Sequence, residues 1–369
     1  MADSEHGLDL ADVVVSYIGL ITLATISIYS GSFASLPALK KQKDPNKPED
    51  QDEDDEEPVS EEIRLEDAYW FPIIGSVVLL GLYLFIKYVS THWINILLQW
   101  YFSVITVASV WNMLLGAAKT TVGAKRWRAL SHLTLTLNHD SDRVFRLHYP
   151  VISLGLLPLA LYPSVTYMFF PAIMKSQYSL LMDIMGLSLS FMALSTIKVD
   201  SLMTGVVLLS GLFLYDIWWV FGSKPVFGTS VMVAVAQGLD APIKILWPKS
   251  KYIFGSNDHT MLGLGDIVVP GMFIALALRY DLHLSTHRDF SKPFAKPFFT
   301  ATLLSYILGL ATTVLVMHNF QSAQPALLYL SPACISAFLF TGWRQGVSKE
   351  MWQFSDTKEK QEKEATKTD

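Results

Sequence analysis

The sequence predicts an all-α, polytopic membrane protein with nine transmembrane helices, and three observations support this class. Of the 369 residues, 51% are hydrophobic and only 17% are charged, which is too apolar for an ordinary soluble protein of this length. Apolar segments recur along most of the chain, each near the ~20 residues that a helix needs to cross a bilayer. Because lipid cannot satisfy free backbone groups, these segments should be helices, and the alternating segments of a β-barrel are not found in the sequence.

The predicted spans divide the chain into five parts. The nine spans are Val13–Ala34, Trp70–Tyr88, Trp93–Ala118, Val151–Ile173, Leu180–Ile197, Leu202–Phe221, Met261–Leu278, Phe298–Met317 and Ala326–Gly342. The parts are a lumenal N-terminus with the first helix (1–34), an acidic, disordered cytosolic loop (35–69), transmembrane helices two to five (70–200), helices six to nine (201–345) and a disordered cytosolic tail (346–369).

The distribution of charge predicts the orientation of the spans. Four acidic residues and no Lys or Arg precede the first segment, which is not the pattern of a cleavable signal peptide. Lys40, Lys41 and Lys43 follow it, so the N-terminus is expected in the lumen and the C-terminus in the cytosol. With this orientation, 22 of the 28 Lys and Arg residues lie on the cytosolic side and five on the lumenal side.

Several classes of function and site are excluded by composition and spacing. No basic surface points to nucleic acid, and the single cysteine, Cys334, cannot form an internal disulfide or a cysteine metal cluster. A zinc protease requires H-E-x-x-H, but His283 and His287 in "HLSTH" lack the glutamate. Ser188 in "GLSLS" has no histidine partner at membrane depth. We therefore expect neither a metal nor a cofactor.

Two apolar segments each contain one aspartate. Asp216 lies in "GLFLYDIWWVFG" (211–222) and Asp266 in "MLGLGDIVVPG" (261–271). Acids within a membrane are rare, face the protein interior and indicate function by default. Asp216 lies about five residues before the end of its span and Asp266 about five residues after the start of the next. Antiparallel neighbouring helices would therefore place the two carboxyl groups at the same depth.

Two carboxyl groups at close range can perform acid–base chemistry together. They share one proton, so the ionised member can take a proton from water while the protonated member polarises a carbonyl. This is the chemistry of aspartic proteases. Gly263 and Gly265 allow backbones to approach closely beside Asp266. Tyr215 is expected either to bond near Asp216 or to anchor at the interface, and the neighbouring pair of tryptophans, 218–219, to form part of an interfacial belt.

A third stretch, "QPALLYL" (324–330), opens the last span on the same side of the membrane as both aspartates. Pro325 lacks an N–H and suits a helix start, and Ala326 is small enough for close packing. Three unusual stretches thus converge at one depth.

Two other functions remain open from the residues alone. Paired carboxyl groups in a helical bundle could relay protons or bind a cation, as in a transporter, although no matching halves are found in the sequence. The same bundle could also serve as a non-catalytic adaptor that escorts membrane helices to degradation in the endoplasmic reticulum.

The three stretches resemble the YD, GxGD and PAL motifs of the intramembrane aspartyl proteases, the family of presenilin and signal peptide peptidase. The wider wording in "APIKILWP", "GDIVVPGMFIALALRYD" and "QPALLYLSP" is similar to the signal peptide peptidase branch and extends over most of residues 70–345. Presenilin fits less well, since only about forty residues separate the two acidic spans here. The residues that carry the resemblance are Tyr215, Asp216, Gly263, Leu264, Gly265, Asp266, Pro325, Ala326 and Leu327.

The resemblance implies a presenilin-like fold and a role for each motif. Asp216 and Asp266 would be the catalytic pair, and the other motif residues, with Gln324, would border the active site and the substrate. The implied substrates are single transmembrane helices of type II orientation, such as signal-peptide remnants. The implied location is the endoplasmic reticulum membrane, with the bilayer, a second copy of the chain and degradation factors as partners.

Overall fold

The computed structural model describes residues 10–36, 61–89, 91–123, 126–127, 132–139, 142–170, 178–248, 259–285, 294–320 and 324–356. Most of the acidic loop and of the polar tail, for which disorder is predicted, lies outside the described residues.

Long helices cover each of the predicted apolar segments. In chain order the helices are α1 (Leu10–Ala34), α2 (Leu65–Tyr88), α3 (Thr91–Val122), α4 (Ile152–Phe169), α5 (Tyr178–Thr196), α6 (Leu202–Ile217), α7 (Ser223–Phe227), α8 (Val231–Gly238), α9 (Gly265–Leu284), α10 (Pro297–Phe320), α11 (Leu327–Gln345) and α12 (Ser348–Gln353). Helix α6 continues directly into a π-helical turn, Trp218–Gly222, before α7.

The helices establish a polytopic membrane protein. Within the described ranges, seven stretches are long and apolar enough to cross a membrane: α1 to α4, α6 with its extension to Phe227, α9 and α10. Helix α5 is apolar but shorter, over Leu180–Thr196, and α11 is not among the seven. The count of nine spans and the orientation of the termini therefore stay predictions.

Helix α9 is the central element of the bundle. Of its most apolar window, 83% is buried, against 6% for α2 at the periphery. It contacts α1, α5, α6, α10 and α11, as expected of a helix that is apolar on all sides. The ring of Phe273 packs so closely on α6 that a Cβ atom at Gly205 would lie 2.7 Å from it. The small residue therefore allows α6 and α9 to approach each other.

Hydroxyl pairs connect the remaining helices inside the bundle. Ser109 of α3 bonds Ser188 of α5 at 2.7 Å, and Ser27 of α1 bonds Ser190 of α5 at 3.0 Å. All four side chains are buried. Such bonds hold helices together where lipid offers no hydrophobic driving force between them.

The described chain also contains three two-stranded sheets, which the all-α expectation omitted. Strand β1 (Glu61–Ile63) pairs in parallel with β4 (Ile197–Val199), β2 (His132–His139) pairs antiparallel with β3 (Asp142–Pro150), and β5 (Lys244–Pro248) pairs antiparallel with β6 (His259–Gly263). Two ordered elements, β1 and α12, lie inside the ranges 35–69 and 346–369 for which disorder was predicted.

Strand β6 corrects the predicted start of the Asp266 helix. The sequence predicted a helix from Met261, but residues 261–263 are extended and the helix begins at Gly265. The extended form is held by pairing with β5, and the N–H of Leu264 continues the ladder by donating to the carbonyl of Ile243 at 2.8 Å. A hydropathy window cannot separate such a strand from the helix that follows it.

A buried ion pair closes the end of the bundle opposite Asp266. The Nε of Arg279, in α9, lies 2.6 Å from Oδ2 of Asp356 beyond α12, and its Nη2 donates to the carbonyl of Val199 at 2.9 Å. Arg279 lies about 20 Å along α9 from Asp266, at 1.5 Å per residue. The segment that follows α11 is thereby fixed to the central helix.

Candidate active site

Asp216 lies near the end of α6 and is almost fully buried, with 1% of its surface exposed. Its Oδ2 accepts a hydrogen bond of 3.1 Å from the main-chain N–H of Leu327. Its Oδ1 has no hydrogen-bond partner among the described residues. Burial of a carboxyl group is costly, so Asp216 is a candidate functional residue.

A widened helical turn follows Asp216 directly. The N–H of Trp218 donates to the carbonyls of both Leu214 and Tyr215 as α6 passes into the π-helical turn. Insertions of this kind are frequent at functional sites because they redirect side chains within a helix.

The two aromatic neighbours of Asp216 face α2. The ring of Tyr215 lies near Gly75, where an added Cβ atom would be 3.6 Å from its Cε2. Trp219 is 5% exposed, and its Nε1 donates to the hydroxyl of Ser76 at 3.0 Å. The prediction of an interfacial role is therefore wrong for Trp219, because α2 packs over it. Trp218 is 54% exposed.

Asp266 is the second residue of α9, in its first turn. An acid there is stabilised by the positive end of the helix dipole. The side chain is half-buried and is close enough to Asp216 for the two charges to interact. The structure thus brings the two acids together.

The glycines beside Asp266 differ in their surroundings. A Cβ atom at Gly263 would lie 3.2 Å from Oδ2 of Asp266, so a side chain there would crowd the carboxyl group. Gly265 faces open space instead, with no atom within 4 Å of an added Cβ. Leu264 caps α9 and is tied to Ile243 through its main chain. Of the three residues, Gly263 is the one whose size bears on the acid.

The third motif meets Asp216 through its backbone. Pro325 and Ala326 are buried and precede α11, and the helix begins at Leu327, one residue after the predicted start of the span at Ala326. The first four N–H groups of a helix lack partners within it. The N–H of Leu327 is one of these and is therefore free to bind Asp216. Gln324 lies half-buried just before this turn.

Two residues near the site were not singled out from the sequence. The hydroxyl of Tyr306, in α10, donates to the main-chain carbonyl of Asp266 at 3.3 Å. The Oδ1 of Asp183, in α5, accepts a hydrogen bond from the N–H of Leu246 in β5 at 2.6 Å. Both Tyr306 and Asp183 are polar residues within apolar helices, and this feature of the sequence could have marked them as candidate site residues.

A bundle of apolar helices with two interacting aspartates at adjoining helix ends defines a class, that of membrane proteins with an intramembrane acid pair. Comparison with known proteins narrows this class. The family model described as signal peptide peptidase matches residues 55–358, which include all three motifs.

Curated relatives agree with the family model. The chain is 33% identical over 352 residues to signal peptide peptidase of Homo sapiens, an alignment that covers 94% of this chain and 85% of that protein. The figures are the same for signal peptide peptidase of Mus musculus. A probable intramembrane protease of Schizosaccharomyces pombe is 33% identical over 300 residues, covering 81% of this chain and 86% of that protein. The chain belongs to the signal peptide peptidase family.

Proposed function

We propose that this protein is an intramembrane aspartic endopeptidase that cleaves within transmembrane helices, with Asp216 and Asp266 as its catalytic residues. The observation that carries the proposal is the placement of two acids at helix ends within the bundle: Asp216 is almost fully buried near the end of α6, and Asp266 lies in the first turn of α9, which contacts α6. The signal peptide peptidase family is a peptidase family, and its model covers both residues. The class of substrate is the type II transmembrane helix, of which signal-peptide remnants are the example suggested by the names of the relatives.

The acid pair acts as general base and general acid in each of the two steps of the reaction. The ionised carboxylate removes a proton from a water molecule, whose oxygen attacks the carbonyl carbon of the scissile peptide. The protonated carboxyl group gives its proton to the carbonyl oxygen, which produces a tetrahedral diol. Collapse of the diol breaks the C–N bond: the carboxyl group that took the proton from water gives it to the leaving nitrogen, and the other carboxylate takes a proton from a diol hydroxyl. The N–H of Leu327 holds Oδ2 of Asp216, so Oδ1 is the oxygen that faces the reaction.

A substrate helix must unwind before its carbonyls are accessible, and the β5–β6 sheet offers a partner for the unwound strand. In the antiparallel ladder, Leu246 is opposite Met261. The N–H of Leu246 donates to Asp183 and not to β6. Leu246 and Met261 therefore form a non-hydrogen-bonded pair, in which the N–H and C=O groups of each residue point away from the other strand. The matching groups of Met261 therefore point to the other edge of the sheet.

That second edge lies beside the catalytic residue. The outer edge of β5 is covered by Asp183 and by Ser16 of α1, whose hydroxyl donates to the carbonyl of Pro248 at 2.8 Å. Within the described ranges, β6 has no second neighbouring strand. It ends at Gly263, three residues before Asp266. Addition of a substrate strand to this edge is a general mode of peptide recognition and would deliver a peptide bond to the acid pair.

The proposal extends to topology and location. It places nine spans in the endoplasmic reticulum membrane with a lumenal N-terminus, supported by the segment pattern and by the bias of Lys and Arg. A second copy of the chain and degradation factors of the same membrane are the proposed protein partners.

The test compares wild type with Asp216→Asn and Asp266→Asn in detergent. Each purified protein receives a type II signal-peptide-like helix, and mass spectrometry identifies the fragments. Wild type should cut within the apolar segment, and both variants should produce no fragment. Asp183→Asn is the matched control, because it alters an intramembrane acid outside the pair while keeping an acceptor for Leu246; it should cut like wild type.

The opposite results identify the other functions. If no protein cleaves while all of them bind the helix, the chain is an adaptor rather than a protease. If wild type moves protons or cations across liposome membranes and an aspartate variant does not, the pair serves transport.

A further inference from the structure

Tyr306 contacts the main chain of Asp266 rather than its carboxyl group. The residue lies in α10 with 0% of its surface exposed. Its hydroxyl donates to the Asp266 carbonyl at 3.3 Å. A buried hydroxyl requires a partner, and this part-buried bond also gives the Asp266 carbonyl a donor.

The Asp266 carbonyl lacks its normal donor because of a proline. In an α-helix each carbonyl accepts from the N–H four residues later. For Asp266 that residue is Pro270, which lies inside α9 and carries no N–H. The proline ring also crowds the carbonyl four residues before it, which bends a helix at this point. The first turn of α9, which carries Asp266, therefore has one backbone hydrogen bond fewer than the same turn of an uninterrupted helix.

Helix α10 links this turn to the other half of the site. One turn beyond Tyr306, Gly309 lies so close to α11 that an added Cβ atom would be 3.2 Å from Cδ2 of Leu330 and 3.4 Å from the carbonyl of Tyr329. The first N–H of α11, that of Leu327, binds Asp216. Helix α10 therefore contacts both halves of the site: its Tyr306 side chain binds the backbone of Asp266, and its Gly309 packs closely against α11, whose first N–H binds Asp216.

We propose that Tyr306 is a positioning residue for Asp266: its hydroxyl supplies the hydrogen bond that Pro270 withholds and so fixes the start of α9 against Asp216. The inference rests on the proposed function, because it assigns Tyr306 a role toward the proposed catalytic pair. Tyr306 touches neither substrate nor water in this role and acts only through the Asp266 backbone.

The first variant is Tyr306→Phe, which removes the hydroxyl and keeps the ring. It should lower kcat about tenfold with little change in KM, because the acid is misplaced while the substrate-binding surface is intact. Tyr280→Phe is the matched control. Tyr280 is also buried, in α9, but its hydroxyl has no hydrogen-bond partner among the described residues, so this variant should keep the wild-type kcat.

The decisive variant is the double mutant Tyr306→Phe with Pro270→Ala. Alanine at 270 restores an N–H four residues after Asp266, so the carbonyl regains a donor from within its own helix. The double mutant should recover several-fold in kcat over Tyr306→Phe. Wild-type kcat in Tyr306→Phe, or a double mutant no faster than the single one, would overturn the inference.

Two further measurements keep the result unambiguous. If Asp266→Asn cleaves like wild type, the proposed function fails; if Asp266→Asn is inactive while Tyr306→Phe is unaffected, only the positioning role fails. If Tyr306→Phe folds too poorly for kinetics, melting temperatures decide. Pro270→Ala must then raise the Tm of Tyr306→Phe by more than it raises that of wild type, and an equal rise refutes the coupling.

Discussion

The main-chain N–H of Leu327 binds Oδ2 of Asp216 at 3.1 Å, across 111 residues of sequence. The bond joins the start of α11 to the end of α6. The third motif therefore contributes a backbone group to the site, while the side chains of Ala326 and Leu327 belong to the main hydrophobic core. Both the position of α11 and the size of its first residues should affect turnover.

Leu327→Trp should lower kcat by about tenfold or more. Leu327 is 7% exposed within the main core cluster, so a larger ring must displace its neighbours and shift the N–H that holds Asp216. Cleavage of a type II helix in detergent measures the effect. Phe340→Trp, at a position of the same helix that is 60% exposed, should keep wild-type turnover; unchanged turnover in Leu327→Trp would contradict the role assigned to this residue.

Gly309→Leu should reduce both stability and turnover. The side chain must enter the contact between α10 and α11, where even a Cβ atom would be tight, and would push the start of α11 away from Asp216. Thermal unfolding and kcat should both decrease. Gly81→Leu provides the comparison, since nothing lies within 4 Å of an added Cβ in its exposed helical position. Equal behaviour of the two variants would refute the argument from close packing.

Asp183→Ala should lower the free energy of unfolding by about 1–3 kcal/mol, the cost of leaving a buried donor without its acceptor. The donor is the N–H of Leu246, which Asp183 binds at 2.6 Å. The β5–β6 sheet should loosen as a result, and the extended form of β6 next to Asp266 with it. Hydrogen exchange of the β5 amides measures the loss. Asp183→Asn retains an oxygen acceptor and should show the smaller effect; the reverse order would count against this account.

Asp356→Ala should destabilise the protein by about 3 kcal/mol, because it leaves Arg279 as a buried charge without its ion partner. The two side chains are 4% and 18% exposed and lie 2.6 Å apart. Thermal unfolding measures the change. Glu350→Ala, an exposed acid on α12, should leave the Tm near that of wild type. A Tm for Asp356→Ala as high as that of wild type would show that the C-terminal segment does not hold α9.

Much of the fold could be predicted from the sequence because hydropathy is a local property. Each of the nine predicted segments coincides with a long helix, and the polytopic class is confirmed. The predicted family is confirmed by the family model that matches residues 55–358. The family could be predicted from the sequence because each of its motifs is a short, contiguous stretch of residues. The exceptions are local too: residues 261–263 are apolar like a helix but pair as a strand.

The sequence by itself determined which residues are candidates for a functional role, because it shows which polar groups lie within apolar helices, where burying them is unfavourable. Asp216 and Asp266 stand out because a carboxyl group in an apolar helix must be compensated, and their positions near the ends of adjoining spans placed them at one depth. Counting residues along helices was sufficient for this, since the rise per residue is fixed.

Only the tertiary structure decided how the site is held. The bond from Leu327 to Asp216, the burial of Trp219 under α2, and the Tyr306 hydroxyl at the carbonyl opposite Pro270 each join residues far apart in the chain. Such contacts depend on the rotation and separation of packed helices. Hydropathy determines the position of a helix along the membrane normal. The shapes of the neighbouring helices determine which face of that helix packs against them.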